Sequence, residues 1–202
     1  MTERFDKAAK NWDEEPRRVK LVEDVASAIR KSVPISKDWR ALDIGCGTGL
    51  LTLNLADSVA SVTGADSSLA MLDKLAEKIA VAGISNVKSR YLNLEESLKF
   101  EEKFDLIVSS MTLHHIKEPQ KLFASLLPTL KSGGYIAFAD LEEEDGTFHD
   151  DPSGVHHNGF SRSKLQELLE SAGFITIKIV EATSITKGER EFPVLLATAK
   201  AP

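Results

Sequence analysis

The 202-residue chain carries 25 Lys and Arg against 31 Asp and Glu, a formal net charge of -6. That charge argues against naked nucleic acid as a partner, because counterion release there needs a basic face. A hydrophobic share of 42% and a charged share of 28% suit one globular α/β domain, and no apolar run is long enough to span a bilayer.

Residues 1–18, MTERFDKAAKNWDEEPRR, are polar around Phe5 and Trp12 and lack the apolar core of a signal peptide. They read as an N-terminal arm, either a frayed tail or a lid, ahead of a single domain over 19–202. Val22, Val25, Ala26, Ile29 and Val33 recur at helical spacing, which predicts a helix over 19–33 that Pro34 ends. Trp39 to Ile44 is an apolar run, followed at once by Gly45, Gly47 and Gly49 and then a leucine-rich helical pattern over Leu50–Asp57. Strand, tight turn and helix start are thus adjacent, the place where open α/β sheets seat a ligand. The spacing is GxGxG and not the GxGxxG of a pyrophosphate loop. Asp43, inside the strand end, would repel a pyrophosphate and suit an ammonium group. The lone cysteine, Cys46, excludes an internal disulfide and fits a reducing, cytoplasmic setting.

Val59 to Asp66 is the second predicted strand. Its terminal carboxylate offers acceptor sites only, a good match for a pair of ribose hydroxyls, the alternative being a helix N-terminal residue beside a Ser67 or Ser68 cap. A helix bearing Leu72, Leu75, Ala76 and Ile79 stops at Gly83, and Asn86 to Leu92 is a short third strand. Phe104 to Ser110 is the most strand-like run, and the helix after it (Leu122, Phe123, Leu126, Leu127, Leu130) should be kinked or shortened by Pro128. A glycine turn at Ser132-Gly133-Gly134 precedes the fifth strand, Tyr135 to Leu141. Residues 142–160 are rich in acids and turn formers, and all five histidines lie between His114 and His157, in the segments after the fourth and fifth strands. Ser161 caps a helix with Leu165, Leu168, Leu169 and Ala172 inward and Gly173 as its stop. Phe174 to Thr183 and Phe192 to Lys200 have no helix between them and should pair as an antiparallel hairpin joined by TSITKGERE.

Four of these stretches share a likeness. LDIGCGTG resembles the first motif of the class I S-adenosylmethionine (SAM)-dependent methyltransferases, and FDKAAKNWDEEPRR resembles the opening of many small-molecule members, where it folds over the cofactor. FDLIVSSMTLHHI resembles their fourth motif, and the terminal hairpin matches their inserted antiparallel strand. The resemblance runs from Phe5 to Lys200. It implies a single-domain Rossmann-like α/β fold with a seven-stranded, mostly parallel sheet in the order 3-2-1-4-5-7-6, strand 7 antiparallel. The implied cofactor is SAM, released as S-adenosylhomocysteine, and the implied acceptor is a small molecule methylated on O, C, N or S. Similarity is to the branch holding quinone-biosynthesis C-methyltransferases, working as monomers or homodimers.

The resemblance also implies a cofactor site made of Asp43, Gly45, Cys46, Gly47, Gly49, Asp66 and Ser67. The adenine would lie beside Leu92, Asn93 and Leu94, and the methyl group would face Ser109 and Met111. Many relatives carry an Asp near Asn93, so a simple turn asparagine is the competing reading there. Ser109-Ser110-Met111-Thr112 replaces the [DNS]-P-P-[FYW] used on nucleic-acid bases and glutamine, which counts against those acceptors. His114 and His115 are expected to pack or to sit beside the cofactor. His156 and His157 are the candidate catalytic bases, of which at most one can face the acceptor in extended chain; surface histidines bonded to backbone are the alternative. No metal is expected. Two further readings are a SAM-binding regulatory or accessory protein, and a metal-assisted O-methyltransferase using Asp140 with His149, His156 or His157. Arsenite chemistry, which uses several cysteines, does not fit.

Overall fold

Five segments form parallel strands: β1 (Arg40–Ile44), β2 (Ser61–Asp66), β3 (Val87–Tyr91), β4 (Phe104–Ser110) and β5 (Leu130–Leu141). Two more, β6 (Ile175–Lys187) and β7 (Arg190–Lys200), form a hairpin, and β7 lies antiparallel against β5. The sheet order is β3-β2-β1-β4-β5-β7-β6, as the resemblance implies. The computed structural model describes residues 2–96, 98 and 100–202.

Helices cover both faces, so the central strands are buried on two sides and read as nearly continuous apolar runs. Alternation along each strand sorts the side chains. Ala41, Leu106, Val108, Val194 and Leu196 pack with Leu21, Val25 and Ile29 of α2 (Pro16–Ser32), Leu51 and Leu55 of α3 (Leu50–Ala56), and Leu72 and Leu75 of α4 (Leu69–Ala82). On the other face Leu42, Ile44, Ile107, Phe138 and Leu195 meet Leu122, Phe123 and Leu126 of α5 (Pro119–Leu126) and Leu165, Leu168 and Leu169 of α6 (Arg162–Ser171). All crossovers return to the same edge, so the segments after β1, β2, β4 and β5 gather at the carboxyl ends of the parallel strands.

Three boundaries differ from expectation and one is as expected. Helix α2 starts at Pro16, three residues before the predicted start, because proline is at home in a first helical turn. Helix α5 is shortened at Pro128 as expected: it ends at Leu126 and gives way to a 3-10 turn, Leu127–Thr129, which leaves Leu130 to begin β5. The Ser132-Gly133-Gly134 turn is absorbed within β5 as a register shift between the pairs Phe104↔Leu130 and Leu106↔Tyr135. Most of TSITKGERE is strand, with the hairpin closed at Gly188 (φ 61). Its β-branched Thr183, Ile185 and Thr186 favour a pleated surface over a loop. The arm itself is ordered: α1 (Thr2–Ala8) runs into a 3-10 segment, Ala9–Glu14. Among the described residues no helix is long and apolar enough to cross a membrane.

Candidate active site

The glycine turn leaves β1 and doubles back towards β2. The N–H groups of Gly45 and Cys46 both donate to the carbonyl of Ala65, at 2.8 and 3.1 Å. Gly49 opens α3 in the left-handed region (φ 83), and a Cβ there would lie 2.3 Å from Leu75 Cδ1, so both its backbone and its packing demand glycine. Gly47 differs. Its φ is 54, and a Cβ would be in ordinary contact with Met71 Sδ at 3.9 Å, so its backbone conformation and not crowding favours glycine.

Asp66, at the end of β2, faces the same turn. Its Oδ2 accepts the Gly47 N–H and its Oδ1 accepts the Ser68 N–H, both at 2.8 Å. Burial raises the carboxyl above its ordinary value, with those two N–H groups pulling the other way. Half-buried Ser67 lies between. Ser68 caps α4 by accepting the Met71 N–H at 3.2 Å and donates its hydroxyl to Asp6 of the arm at 2.5 Å.

Asp43 sits deeper than expected. Its side chain is in the interior at 1% exposure, with Oδ2 accepting the Thr52 hydroxyl at 2.6 Å. It does not reach the crevice surface where a ligand ammonium would meet it. Burial pushes its carboxyl up to about 7 against the opposing Thr52 bond. Cys46 is likewise buried, its thiol pushed up by burial. Leu92 is buried and donates its N–H to the Asp66 carbonyl at 2.9 Å, and Leu94 packs on the adjoining apolar cluster. The Asn93 amide is taken up locally, donating to Glu96 Oε1 at 2.9 Å and accepting the Glu95 N–H at 3.1 Å, a side-chain-closed turn.

At the end of β4, Ser109 donates to the Ile44 carbonyl at 2.8 Å. The hydroxyl of Ser110 is buried without a partner. Met111 holds a φ of 56, rare for a side chain of its size, with its N–H on the Ala139 carbonyl at 2.8 Å. Backbone outliers of this kind gather at functional sites.

Three of the five histidines converge here. The rings of His114 and His115 are 4.1 Å apart between centroids, and His149 lies 4.8 Å from the first and 5.9 Å from the second. His114 Nδ1 is 2.7 Å from Asp140 Oδ1, and both side chains are 2% exposed. Asp140 also accepts the N–H groups of Leu141 and His114, at 2.8 and 3.2 Å. Burial works to raise its carboxyl, but the adjacent His114 ring and these N–H groups hold it below the usual range. Burial, aided by the nearby His114 ring, pushes His115 and His149 down to about 4. His115 Nδ1 is fixed on the Gly154 carbonyl at 2.8 Å. The Nε2 atoms of His114 and His149 are buried and have no hydrogen-bond partner.

His156 and His157 are placed elsewhere. Their N–H groups donate to the His114 carbonyl at 2.9 and 3.2 Å, the His157 ring Nε2 bonds the Ile116 carbonyl at 2.9 Å, and His156 is exposed. They line an outer depression with Glu118 and Lys164 that none of the glycine-turn residues enters. The expected pair therefore braces the loop, and the cluster of His114, His115 and His149 occupies the inner position. Its only trace in the sequence is the confinement of every histidine to the segments after β4 and β5. Asp140, the anchor of the metal-assisted reading, spends its oxygens on His114 and Leu141, and among the described residues no three His, Cys, Asp or Glu are arranged to hold a metal.

The arm bridges the two sides of this crevice. Asp13 accepts the Thr48 hydroxyl at 2.5 Å and pairs with Lys78 at 2.7 Å. Phe5 stands edge-on to His115 at 5.3 Å and to Trp12 at 5.9 Å, and Arg18 covers Trp12 at 3.9 Å. Arg4 reaches the Asp151 carbonyl at 2.8 Å.

A family model described as a methyltransferase domain matches residues 9–179. The chain is 30% identical over 154 residues to an uncharacterized methyltransferase of Schizosaccharomyces pombe, covering 69% of this chain and 54% of that protein, so it spans about half of that relative's length. It is 29% identical over 162 residues to the ubiquinone biosynthesis O-methyltransferase of Coxiella burnetii, covering 74% of this chain and 68% of the relative. The crystal structure of a SAM dependent methyltransferase from Aquifex aeolicus shares the fold at a TM-score of 0.72 and 23% identity, over 98% of each chain. With a family model covering most of its length and the sheet order in agreement, the chain belongs to the methyltransferase-domain family.

Proposed function

We propose that the protein transfers the methyl group of SAM to a small-molecule acceptor. The observation that carries this is the pairing of Asp66 with the Gly47 N–H at the carboxyl edge of the sheet, where a Cβ on Gly47 would crowd no neighbour. A carboxylate with remaining acceptor sites suits two ribose hydroxyls, and a turn bare of side chains lets a nucleoside approach the backbone. Gly45, Gly47, Gly49, Asp66 and Ser67 would hold the cofactor's ribose and amino-acid portions. Leu92 and Leu94 would wall the adenine, and Ser109 and Met111 would border the reacting end. Asp43, Cys46 and Asn93 support the site from beneath or beside it: Asp43 through Thr52, Cys46 by filling space, Asn93 by closing its turn.

The bound sulfonium would supply an activated methyl group for in-line displacement. The chain's own contribution is placement and exclusion of water, and positioning of this kind is worth about 7–11 kcal/mol in favourable cases. The arm serves as the lid, because it fastens to Thr48 and Ser68 on one side of the crevice and to His115 on the other. A crevice roofed this closely suits a small acceptor better than a polymer. A buried lone thiol and an acidic surface agree with a cytoplasmic protein that does not bind nucleic acid.

Calorimetry with SAM, S-adenosylhomocysteine and NAD tests the reading. Micromolar binding of the first two and none of NAD is expected; NAD bound with SAM unbound would overturn it.

A further inference from the structure

SAM and S-adenosylhomocysteine both end in an amino acid, so a site for them has to meet a carboxylate as well as a ribose and an adenine. The N–H groups of the glycine turn are already spent. Gly45 and Cys46 donate to the Ala65 carbonyl, Gly47 to Asp66, and Gly49 to the Cys46 carbonyl. The side chains that close on the turn, Asp66 and Asp13, are themselves acids. A carboxylate brought here needs a cation.

Two lysines of α4 stand near Asp13, and both are engaged: Lys78 pairs with Asp13 at 2.7 Å and Lys74 with Glu77 at 2.7 Å. Arg18 is different. Of its five guanidinium N–H groups, it uses one on Nη1, which donates to the Trp12 carbonyl at 3.2 Å, and its Cζ lies 3.9 Å from the centre of the Trp12 ring. Among the described residues it forms no ion pair, whereas Arg17 beside it holds Glu15 through Nε at 3.0 Å and Nη2 at 3.3 Å. Its surroundings disfavour a lone cation. Burial is the largest influence lowering its pKa, Arg17 and Arg4 add like charge, and Glu15 and Asp13 oppose them only from a distance. Arg18 also stands in the first turn of α2, at the positive end of the helix dipole. A guanidinium held against these costs, with its other donors open, is prepared for an anion.

Its position is beside the turn. Asp13, the residue after Trp12, accepts the hydroxyl of Thr48 at 2.5 Å, and Thr48 lies between Gly47 and Gly49. Trp12 is edge-on to Phe5 at 5.9 Å, and Phe5 to His115 at 5.3 Å, so the ring that carries Arg18 belongs to the chain of contacts by which the arm crosses the crevice.

We propose that Arg18 receives the carboxylate at the amino-acid end of the cofactor and, through Trp12, conveys its presence to the arm. This rests on the methyltransferase reading above and assigns that site a residue from outside the glycine turn. A guanidinium takes a carboxylate through two parallel N–H···O bonds, which fix its plane, and this guanidinium is the one that covers Trp12. The same contact neutralises the charge that Arg4 and Arg17 repel. Arg18 acts away from the reacting carbon. It binds and takes no part in bond making or breaking.

The test compares S-adenosylhomocysteine with its decarboxylated form, the same molecule lacking only the carboxylate, by calorimetry on the full chain. The wild type should prefer S-adenosylhomocysteine by about 10–100-fold, the range for hydrogen bonds to a charged group. Arg18→Gln removes the charge and the fork. It should bind the two ligands alike, and the decarboxylated one as well as the wild type does. Arg18→Lys keeps the charge without the fork and should fall between. Equal affinities in the wild type would overturn the assignment without recourse to any variant. Full preference retained in Arg18→Gln would do the same, as would an equal loss for both ligands, the mark of a merely structural residue. Hydrogen exchange at saturating ligand reads the link to the arm. In the wild type residues 2–14 should be slowed more by S-adenosylhomocysteine than by its decarboxylated form, and in Arg18→Gln equally by both. Equal slowing in the wild type would overturn that link. A wild type that binds neither ligand would instead remove the methyltransferase reading, which a mere lack of preference between the two leaves intact.

Discussion

Thr52 donates its hydroxyl to the buried carboxyl of Asp43 at 2.6 Å, which ties the end of β1 to the first turn of α3 directly beneath the glycine turn. The bond shows why an acid can occupy an interior strand position. The carboxyl is held as an acceptor, and burial lifts it from an ordinary 3.8 to about 7, keeping its proton through mildly acidic pH.

That shift has a sign that can be checked. Between 3.8 and about 7 the folded protein holds a proton that the unfolded chain releases, so the contribution of Asp43 to stability falls as pH rises through this window. Asp43→Asn mimics the protonated form and can still accept from Thr52. It should match the wild type in acid and gain on it towards neutral pH, by an amount on the order of 4 kcal/mol if the full shift is realised. Urea denaturation of both proteins across that range measures the difference, and parallel pH profiles would show that Asp43 is not perturbed.

His115 and His149 should act in the opposite direction. Both are pushed from 6.5 down to about 4, so between those values the unfolded chain binds protons that the folded one refuses. Their contribution to stability is present above pH 6.5 and is lost as pH falls towards 4. His149→Asn should flatten this acid limb in chemical denaturation, with less change near neutrality.

Asp66 carries a prediction about the ligand. Asp66→Ala removes the acceptor of the Gly47 and Ser68 N–H groups together with the expected ribose contact. Binding of S-adenosylhomocysteine should weaken by about 1–3 kcal/mol in calorimetry, the scale of charged hydrogen bonds lost. A folded variant with wild-type affinity would exclude Asp66 from the site.

The arm should respond to cofactor. Hydrogen exchange over residues 2–14 should slow when S-adenosylhomocysteine is added, because the segment is fastened on the site's own Thr48 and Ser68. Asp13→Ala, which frees both Thr48 and Lys78, should reduce that protection and lower turnover while leaving thermal stability within about 1 kcal/mol. Unchanged exchange on ligand addition would make the arm a fixed part of the fold and not a lid.

Much of the fold was legible because its signals are local. The apolar runs of β1, β4 and β7, the glycine turn, the Ser161 cap and the punctuation at Gly83 each follow from residues a few positions apart. Local signals also misled where two structures compete for the same residues: Ser184 and Thr186 look like loop polar residues, but their neighbours pair them as strand. The site was less legible for the same reason. Nothing in the spacing of His114, Asp140 and His149 says that they meet, since the loop 142–160 must first fold back on the turn Leu113–His115. The direction of Asp43 was hidden too. Strand periodicity gives a face, but only the placement of α3 supplies Thr52 as the partner that draws the carboxyl inward.

The position of β7 constrains how the chain is assembled. The edge of β5 acquires its partner only when residues 190–200 arrive, last among the strands, although Ile136, Ala137 and Phe138 are among the most apolar of the sheet. On a ribosome, β1 to β5 can pair and α2 to α5 can pack while that edge stands open, and an open apolar edge is a template for another chain's strand. A stop codon or nick ahead of β7 therefore turns a nearly finished sheet into an aggregation seed. The nascent protein's exposure to misassembly is set by the time needed to synthesise the hairpin of β6 and β7.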